Sequence, residues 1–116
     1  MGKTVRSDTN ARGTTWGRVY ETSLPNNNSG LDLVQFDDGE LLLVLNPVGK
    51  NWGPRTPLSL ARSTDNGETW TYWAHLETGQ GEYSYPAIVR TKDGVAISYT
   101  WRRDRVRVWQ IPLEAL

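Results

Sequence analysis

The sequence lacks cysteine, which excludes disulfide bonds and thiolate metal sites but leaves the cellular compartment open. It also lacks a surplus of charge, because 13 Lys and Arg residues balance 13 Asp and Glu residues. A neutral chain does not favour nucleic acid or an anionic membrane as a partner. No apolar run approaches the roughly 20 residues of a membrane span, and Met1-Gly2-Lys3 does not lead into an apolar leader. We therefore expect no nucleic-acid and no membrane partner, with the cytoplasm as the default compartment.

Motifs for metals and cofactors are missing as well. The single histidine, His75, falls in a predicted strand, and we expect it to be structural. Asp37 and Asp38 precede a glycine, which is typical of a turn rather than of a cation site. We therefore expect no bound metal and no cofactor. No segment shows a helical period of useful length, so the sequence predicts an all-β chain.

Aromatic residues, by contrast, are abundant, since the chain has six tryptophans and five tyrosines. Glycan-binding surfaces have such a composition, but so do the interiors of small-sheet proteins. Composition alone does not separate these two interpretations. The length of 116 residues limits the chain to one ordinary domain with a modest core.

Residues 63–70 carry the most informative motif, which reads STDNGETW. Asp65-Asn66-Gly67 predicts a turn, because a carboxylate can accept backbone N–H bonds and the next two residues tolerate positive φ. Thr69 and Trp70 then begin a strand with a β-branched residue and a large ring. The motif therefore predicts a β-hairpin in which Asp65 has a structural role.

An internal repeat relates the two halves of the chain. Residues 33–42 align with residues 88–97, which matches Gly39 with Gly94. A degenerate and longer copy of the 63–70 motif occupies residues 7–16. These two independent landmarks give nearly the same period, about 55 residues. A unit of that length with four short strands is typical of a β-propeller blade.

The repeat divides the chain into three units. Residues 1–22 are predicted to form a partial blade, residues 23–78 a complete blade, and residues 79–116 a partial blade that lacks its outer strand. Alternating apolar residues and turn residues predict the strands. These lie near 16–22, 32–36, 41–45, 58–62, 69–76, 87–90, 95–101 and 105–111.

The 63–70 motif resembles the Asp box of sialidases and other BNR-repeat β-propellers. Residues 23–111 resemble the last part of a sialidase, in particular of the predicted-neuraminidase branch. The resemblance implies four-stranded antiparallel blades, about two per chain. Two blades cannot close a ring, and an open edge strand is a site of association. Either three copies complete a six-bladed ring as a homotrimer by strand exchange, or the chain is a fragment of a longer propeller protein.

The predicted topology gathers the long loops on one face, which we call the upper face. Within a blade, the loops between the second and third strands and between successive blades share this face. Long loops on a rigid scaffold are where binding sites usually lie. The candidates for contacts with a carbohydrate ligand in these loops are Asn28, Trp52, Arg55, Glu82, Tyr85 and Arg102.

The resemblance also implies specific roles for two loop residues. Arg55 matches an arginine that binds the sugar carboxylate in sialidases, and a guanidinium fork suits a carboxylate. Tyr83, in the sequence EYSYP, matches their nucleophilic tyrosine, which attacks the anomeric carbon. That tyrosine needs a base, and the adjacent Glu82 is expected to point the other way. The other catalytic residues of the family come from blades outside this sequence.

Three functional hypotheses remain open on the sequence. The first is a sialidase-like protein that acts on acidic sugars, with weak or no hydrolysis by this chain alone. The second is a non-catalytic module for glycan binding or self-assembly. The third is a structural fragment of a longer propeller protein.

Overall fold

The computed structural model describes residues 2–50 and 52–116. These residues form three small antiparallel sheets, so the predicted all-β class is confirmed. The only helical element in the described residues is a 3-10 turn, Leu113–Ala115. The strands are β1 Lys3–Arg6, β2 Tyr20–Pro25, β3 Asp32–Gln35, β4 Leu41–Leu45, β5 Leu58–Ser63, β6 Thr71–Glu77, β7 Tyr83–Arg90, β8 Gly94–Trp101 and β9 Arg105–Pro112.

The first sheet differs from its prediction. It contains two strands, β1 and β2, which are joined by the turn of residues 7–16. The sequence predicts one strand near residues 16–22, whereas β2 begins at Tyr20 and β1 precedes the turn. The short segment Lys3–Arg6 alternates only weakly in hydropathy and forms a strand because β2 supplies its hydrogen-bond partners.

The second and third sheets follow the order of the sequence. The second sheet has the order β3-β4-β5-β6, and the third has the order β7-β8-β9. All five residues of β4 are buried, because this strand has a sheet packed against each of its faces. Leu42 and Val44 pack against the third sheet, whereas Leu43 and Leu45 pack towards Leu24 of the first sheet. Each fully buried aliphatic side chain contributes about 1.5–3 kcal/mol.

The register of the third sheet corrects the alignment of the repeat. In the second sheet, Gln35 pairs with Leu41, so five residues separate the paired positions. In the third sheet, Arg90 pairs with Val95, and only four residues lie between them. The structural equivalent of Leu41 is therefore Val95 and not Ala96. A shift of one residue exchanges the two faces of a strand, so the aligned residues Leu41 and Ala96 lie on non-equivalent faces of their sheets.

The 63–70 turn is held by its own polar side chains. Ser63 Oγ accepts the Gly67 N–H at 2.8 Å, and Asp65 accepts the N–H of Thr69 at 2.9 Å and its hydroxyl at 2.5 Å. The Trp70 indole N–H donates to the Gly67 carbonyl at 3.1 Å. These bonds to the charged form lower the pKa of Asp65 to about 2, with the Thr69 hydroxyl as the largest cause.

The 7–16 turn repeats the indole bond, since Trp16 donates to the Gly13 carbonyl at 3.0 Å. Arg6 connects the two turns. Its Nε donates to Asp8 at 2.7 Å, and its terminal nitrogen donates to the Asn66 carbonyl at 2.8 Å. The degenerate copy of the motif therefore forms the same kind of turn and lies beside the 63–70 copy.

Acidification is expected to destabilise the protein partly through Asp65. The folded-state pKa of about 2 lies below the ordinary value of 3.8. The contribution of the Asp65 carboxylate to the free energy of unfolding is therefore complete above a pH of about 4, and it is lost as the pH falls towards 2. Urea denaturation at pH 5, 4, 3 and 2 should show a steeper loss of stability in the native protein than in Asp65→Asn. Equal pH dependence of the two proteins would contradict the assignment.

Candidate functional site

The upper-face loops contact one another in a continuous series. The Asn27 amide donates to the Pro54 carbonyl at 2.8 Å. The Tyr83 N–H donates to the Arg55 carbonyl at 3.0 Å, and the Arg102 N–H donates to the Glu82 carbonyl at 2.8 Å. The loops between sheets and the loops within sheets thus form one surface. The structure brings together the candidates that the sequence places on this face.

Asn46 is a residue that the sequence reasoning missed. Its side chain is fully buried at the end of β4. The amide donates to the carbonyls of Pro57 at 2.9 Å and Tyr83 at 3.1 Å, and its oxygen accepts the Ser29 hydroxyl at 3.3 Å. Asn46 therefore connects three upper-face loops. A polar residue directly after five apolar strand residues was the available signal in the sequence.

Arg55 presents an incompletely paired guanidinium. Its Nε lies 3.8 Å from Glu82 Oε1, and its Cζ lies 5.4 Å from the centre of the Tyr85 ring. Glu82 is bound more closely by Arg103, which contacts both of its carboxylate oxygens. Among the described residues, no hydrogen bond to a side chain or carbonyl uses the Arg55 guanidinium. Its donors are therefore available to an anion.

Trp52 and Tyr85 are the most exposed large rings of this surface, at 76% and 71%. Both have positive φ, 57° and 55°, which is unusual for aromatic residues. Tyr85 lies where the pairing of β7 and β8 shifts register between Ser84 and Ala87, and such a bulge directs a side chain away from the sheet. The two rings are thus held out from the core by strained backbone.

Strained backbone is concentrated on the upper face. Positive φ among non-glycine residues occurs at six described positions, and five of them lie on the upper face, four in its loops and one at the β7 bulge. Such strain persists where the surrounding structure enforces it, and it clusters at functional sites. The five positions are Asn28, Trp52, Tyr85, Arg102 and Arg103.

Asn28 lies at a turn, and its own backbone N–H donates to the Asn26 side chain at 2.7 Å. The depression nearest to Arg55 has a volume of about 360 Å³. Asn27, not Asn28, contributes to its lining, together with Trp52, Arg55 and Glu82. The structure therefore places Asn28 beside the depression.

Tyr83 lies in the core rather than at the surface. Only 1% of the residue is exposed, and its ring is packed at 6.5 Å from the Trp101 ring. The hydroxyl donates to the Gln80 carbonyl at 3.0 Å and lies 3.2 Å from Arg102 Nε. Glu82, its neighbour in sequence, pairs with Arg103 and not with the phenol. This arrangement places the phenol between the Gln80 carbonyl and the Arg102 side chain.

A family model described as the BNR repeat-like domain matches residues 2–97. The chain belongs to the BNR repeat-like domain family. The predicted recognition of a BNR-repeat protein is thereby confirmed. The matched range of this BNR repeat-like chain contains Trp52, Arg55, Tyr83 and Tyr85 and ends before Arg102. No curated protein and no solved structure matches the chain.

The opposite face of the BNR repeat-like chain has a depression of about 330 Å³ between the second and third sheets. Both arginines that line it are paired with acidic side chains. Arg90 Nη1 lies 3.0 Å from Asp37 Oδ1, and Arg62 Nε lies 2.5 Å from Glu40 Oε1. These arginines are therefore less available to an anion than Arg55.

In residues 2–50 and 52–116, no helix has the length and apolarity needed to cross a membrane.

Proposed function

We propose that the three sheets belong to successive blades of a β-propeller and that the 63–70 turn is an Asp box of the sialidase type. The second sheet has four antiparallel strands in sequential order, as a blade does. The first strands of the second and third sheets, β3 and β7, contact each other. Inner strands of neighbouring blades lie side by side in this way around a propeller axis.

We further propose that the upper face binds an acidic sugar and that this chain does not hydrolyse it. The observation that carries the proposal is the Arg55 guanidinium beside the exposed rings of Trp52 and Tyr85. A guanidinium binds a carboxylate through two parallel charge-assisted bonds. Exposed aromatic rings offer flat apolar surfaces to the C–H faces of a sugar. The combination favours a sugar that carries a carboxylate.

The position of Tyr83 supports binding without hydrolysis. A nucleophile needs access to the anomeric carbon and a base within hydrogen-bond distance. The Tyr83 hydroxyl is buried and is bonded to a backbone carbonyl. The nearest carboxylate in sequence, Glu82, is occupied by Arg103. Binding without turnover is therefore the function that this geometry supports best.

Replacing Arg55 by alanine is expected to weaken the binding of 3′-sialyllactose about tenfold to a hundredfold. A hydrogen bond to a charged group contributes about 1.5–3 kcal/mol, which corresponds to that range. Calorimetric titration of the native protein and of Arg55→Ala measures the difference. Arg12→Ala, at an exposed arginine in the 7–16 turn, is the matched control and should bind normally. Equal affinity for lactose, which has no carboxylate, would contradict the proposal.

A fluorogenic sialoside tests the catalytic alternative in the same preparation. We expect no turnover above buffer. Turnover that disappears in Tyr83→Phe would overturn the non-catalytic proposal and would support the hydrolase hypothesis instead.

One face of the third sheet packs on the second sheet, and we call the opposite face its outer face. The apolar residues of this outer face favour self-association as a second function. Val106 and Val108 of β9 are 68% and 59% exposed. Since Val95 of β8 is equivalent to Leu41 of β4, the strand paired with β8 can be compared with the strand paired with β4. In this comparison Val106 and Val108 take the positions of Leu58 and Leu60 in β5, which are fully buried by the third sheet. We propose that a second copy of the chain covers this face. The predicted strand exchange would have the N-terminal region of one copy complete the third sheet of another, but β2 already pairs with β1. The proposed contact is therefore between the faces of sheets and not between their edge strands.

Light scattering at several protein concentrations tests self-association, with the homotrimer as the predicted species. Val108→Lys is expected to shift the mass towards the monomer, because a charge on an apolar interface is costly to bury. Thr71→Lys, on an exposed position of β6, is the control. A monodisperse monomer of the native chain at all concentrations would exclude the homotrimer.

A further inference from the structure

The turn that joins β8 to β9 violates its local sequence preference. The Asp104 N–H donates to the Trp101 carbonyl at 3.0 Å, and the two central residues, Arg102 and Arg103, have φ of 52° and 56°. Trp101 pairs with Arg105, so the connection has three residues. Positive φ at both central residues is the pattern of a type I′ turn, for which Asn-Gly is strongly preferred. Two arginines there strain the backbone. Departures of this kind are expected where side chains serve a function.

The Arg102 side chain is held in place from three sides. Its Cζ lies 4.5 Å from the centre of the Trp101 ring, and its Nε donates to the Tyr83 hydroxyl at 3.2 Å. On the remaining side lies Gly81, where an added Cβ would come within 3.1 Å of Arg102 Cγ and Nε. Any larger residue at position 81 would therefore crowd the arginine side chain. The long side chain is pre-organised, which lowers the entropy lost on binding.

Arg102 differs from the neighbouring arginines, each of which pairs with an acidic side chain. Arg103 pairs with Glu82. Arg105 Nη2 lies 2.7 Å from Asp104 Oδ2, and Arg107 Nη1 lies 2.8 Å from Glu77 Oε2. Arg102, by contrast, makes no ion pair within the described part of the chain. Its terminal nitrogens also make no hydrogen bond to any described residue. They form a fixed cationic fork that is available to an anion.

Arg102 also lies next to the Arg55 depression. A second depression, of about 490 Å³, is lined by Gln80 and Arg102. It shares Gly81, Glu82 and Arg103 with the depression beside Arg55. Arg55 and Arg102 therefore line two adjacent depressions that share the Glu82–Arg103 ion pair.

We infer that Arg102 forms a second anion subsite and that the ligand is an acidic oligosaccharide with at least two carboxylates. The inference rests on the proposed function, since Arg55 supplies the first subsite. Tyr83 acts as a positioning residue, because its hydroxyl fixes Arg102 Nε and leaves the terminal nitrogens free. A ligand that engages both arginines gains affinity because the second contact is intramolecular.

An α2,8-linked disialoside and the corresponding monosialoside test the inference on the native protein. We expect the disialoside to bind about tenfold tighter or more. Arg102→Asn should reduce this ratio to about one. Because asparagine suits the type I′ turn, the variant should also have a higher melting temperature, which separates lost binding from lost folding. Arg12→Ala, which removes an exposed arginine outside both depressions and retains Arg102, should keep the ratio above about five.

Tyr83→Phe gives an independent test of the positioning role. Loss of the single hydroxyl should lower the disialoside-to-monosialoside ratio severalfold, since Arg102 is no longer fixed. In the native protein, the Arg102 Nε–H resonance should shift on addition of disialoside and much less on addition of monosialoside. A native ratio near one, or an unmoved Arg102 resonance, overturns the second subsite while Arg55-dependent monosialoside binding still supports the proposed function. If neither sialoside binds, both proposals are overturned.

Discussion

Replacing Asn46 by aspartate is expected to destabilise the protein by about 3–5 kcal/mol, the cost of an uncompensated buried charge. The native amide donates to the carbonyls of Pro57 and Tyr83 within 3.1 Å, and the side chain is fully buried. A carboxylate cannot donate and would face two carbonyl oxygens. Such a loss is a large fraction of the roughly 5–15 kcal/mol that stabilises a typical domain.

Urea denaturation at pH 7 measures this loss. Asn28→Asp is the matched control, because it makes the same change on the same face at an exposed side chain, and it should cost less than about 0.5 kcal/mol. Burial raises the pKa of the introduced carboxyl group, so the deficit of Asn46→Asp should shrink as pH falls from 7 to 4. A deficit that is equal at both pH values would contradict the assigned role of Asn46.

Replacing Gly94 by alanine is expected to cost about 3 kcal/mol or more, at the upper end of the range for overpacking. An added Cβ would lie 1.9 Å from the carbonyl oxygen of Ile111 and 2.9 Å from Pro112 Cα. Both obstacles are backbone atoms of β9, which pairs with β8 at this point. The strands would have to separate locally to relieve the overlap.

Gly39→Ala is the natural comparison, because the sequence presents both glycines as Asp-Gly turns. At Gly39 no atom of the described residues, apart from the two chain neighbours, lies within 4 Å of the added Cβ, and the obstacle is a φ of 90°. Left-handed backbone costs an alanine roughly 1–2 kcal/mol. Amide hydrogen exchange should therefore show loss of protection in β9 for Gly94→Ala and retained protection for Gly39→Ala. Equal destabilisation by the two changes would contradict the explanation.

Much of the fold could be predicted from local signals. The bounds predicted for β4 agree with the structure, and those for β3, β5 and β9 agree within one residue at each end. These strands combine apolar runs or alternation with turn residues at their ends, and both signals act over a few residues. β1 was missed because its four residues carry no strong β signal of their own. Its conformation depends on a partner, β2, that lies beyond the 7–16 turn in the chain.

The register of the repeat shows a second limit. The Asp-Gly pairs align perfectly in sequence, but the turn in the third sheet is one residue shorter. Which residues of β8 face the second sheet depends on that single residue. Only the hydrogen bonds between strands decide it, because both faces of β8 contain residues compatible with burial.

For the site, the sequence by itself determined which loops share a face, since strand order and antiparallel pairing are sufficient for that. It also identified Arg55, Trp52, Tyr85 and Arg102 as side chains of this surface. Only the tertiary structure decided that Tyr83 points into the core and accepts a hydrogen bond from Arg102, and that Asn46 connects the loops. The physical reason is that side-chain direction in bulges, turns and loops depends on positive φ and on packing with residues distant in sequence, which no local pattern encodes.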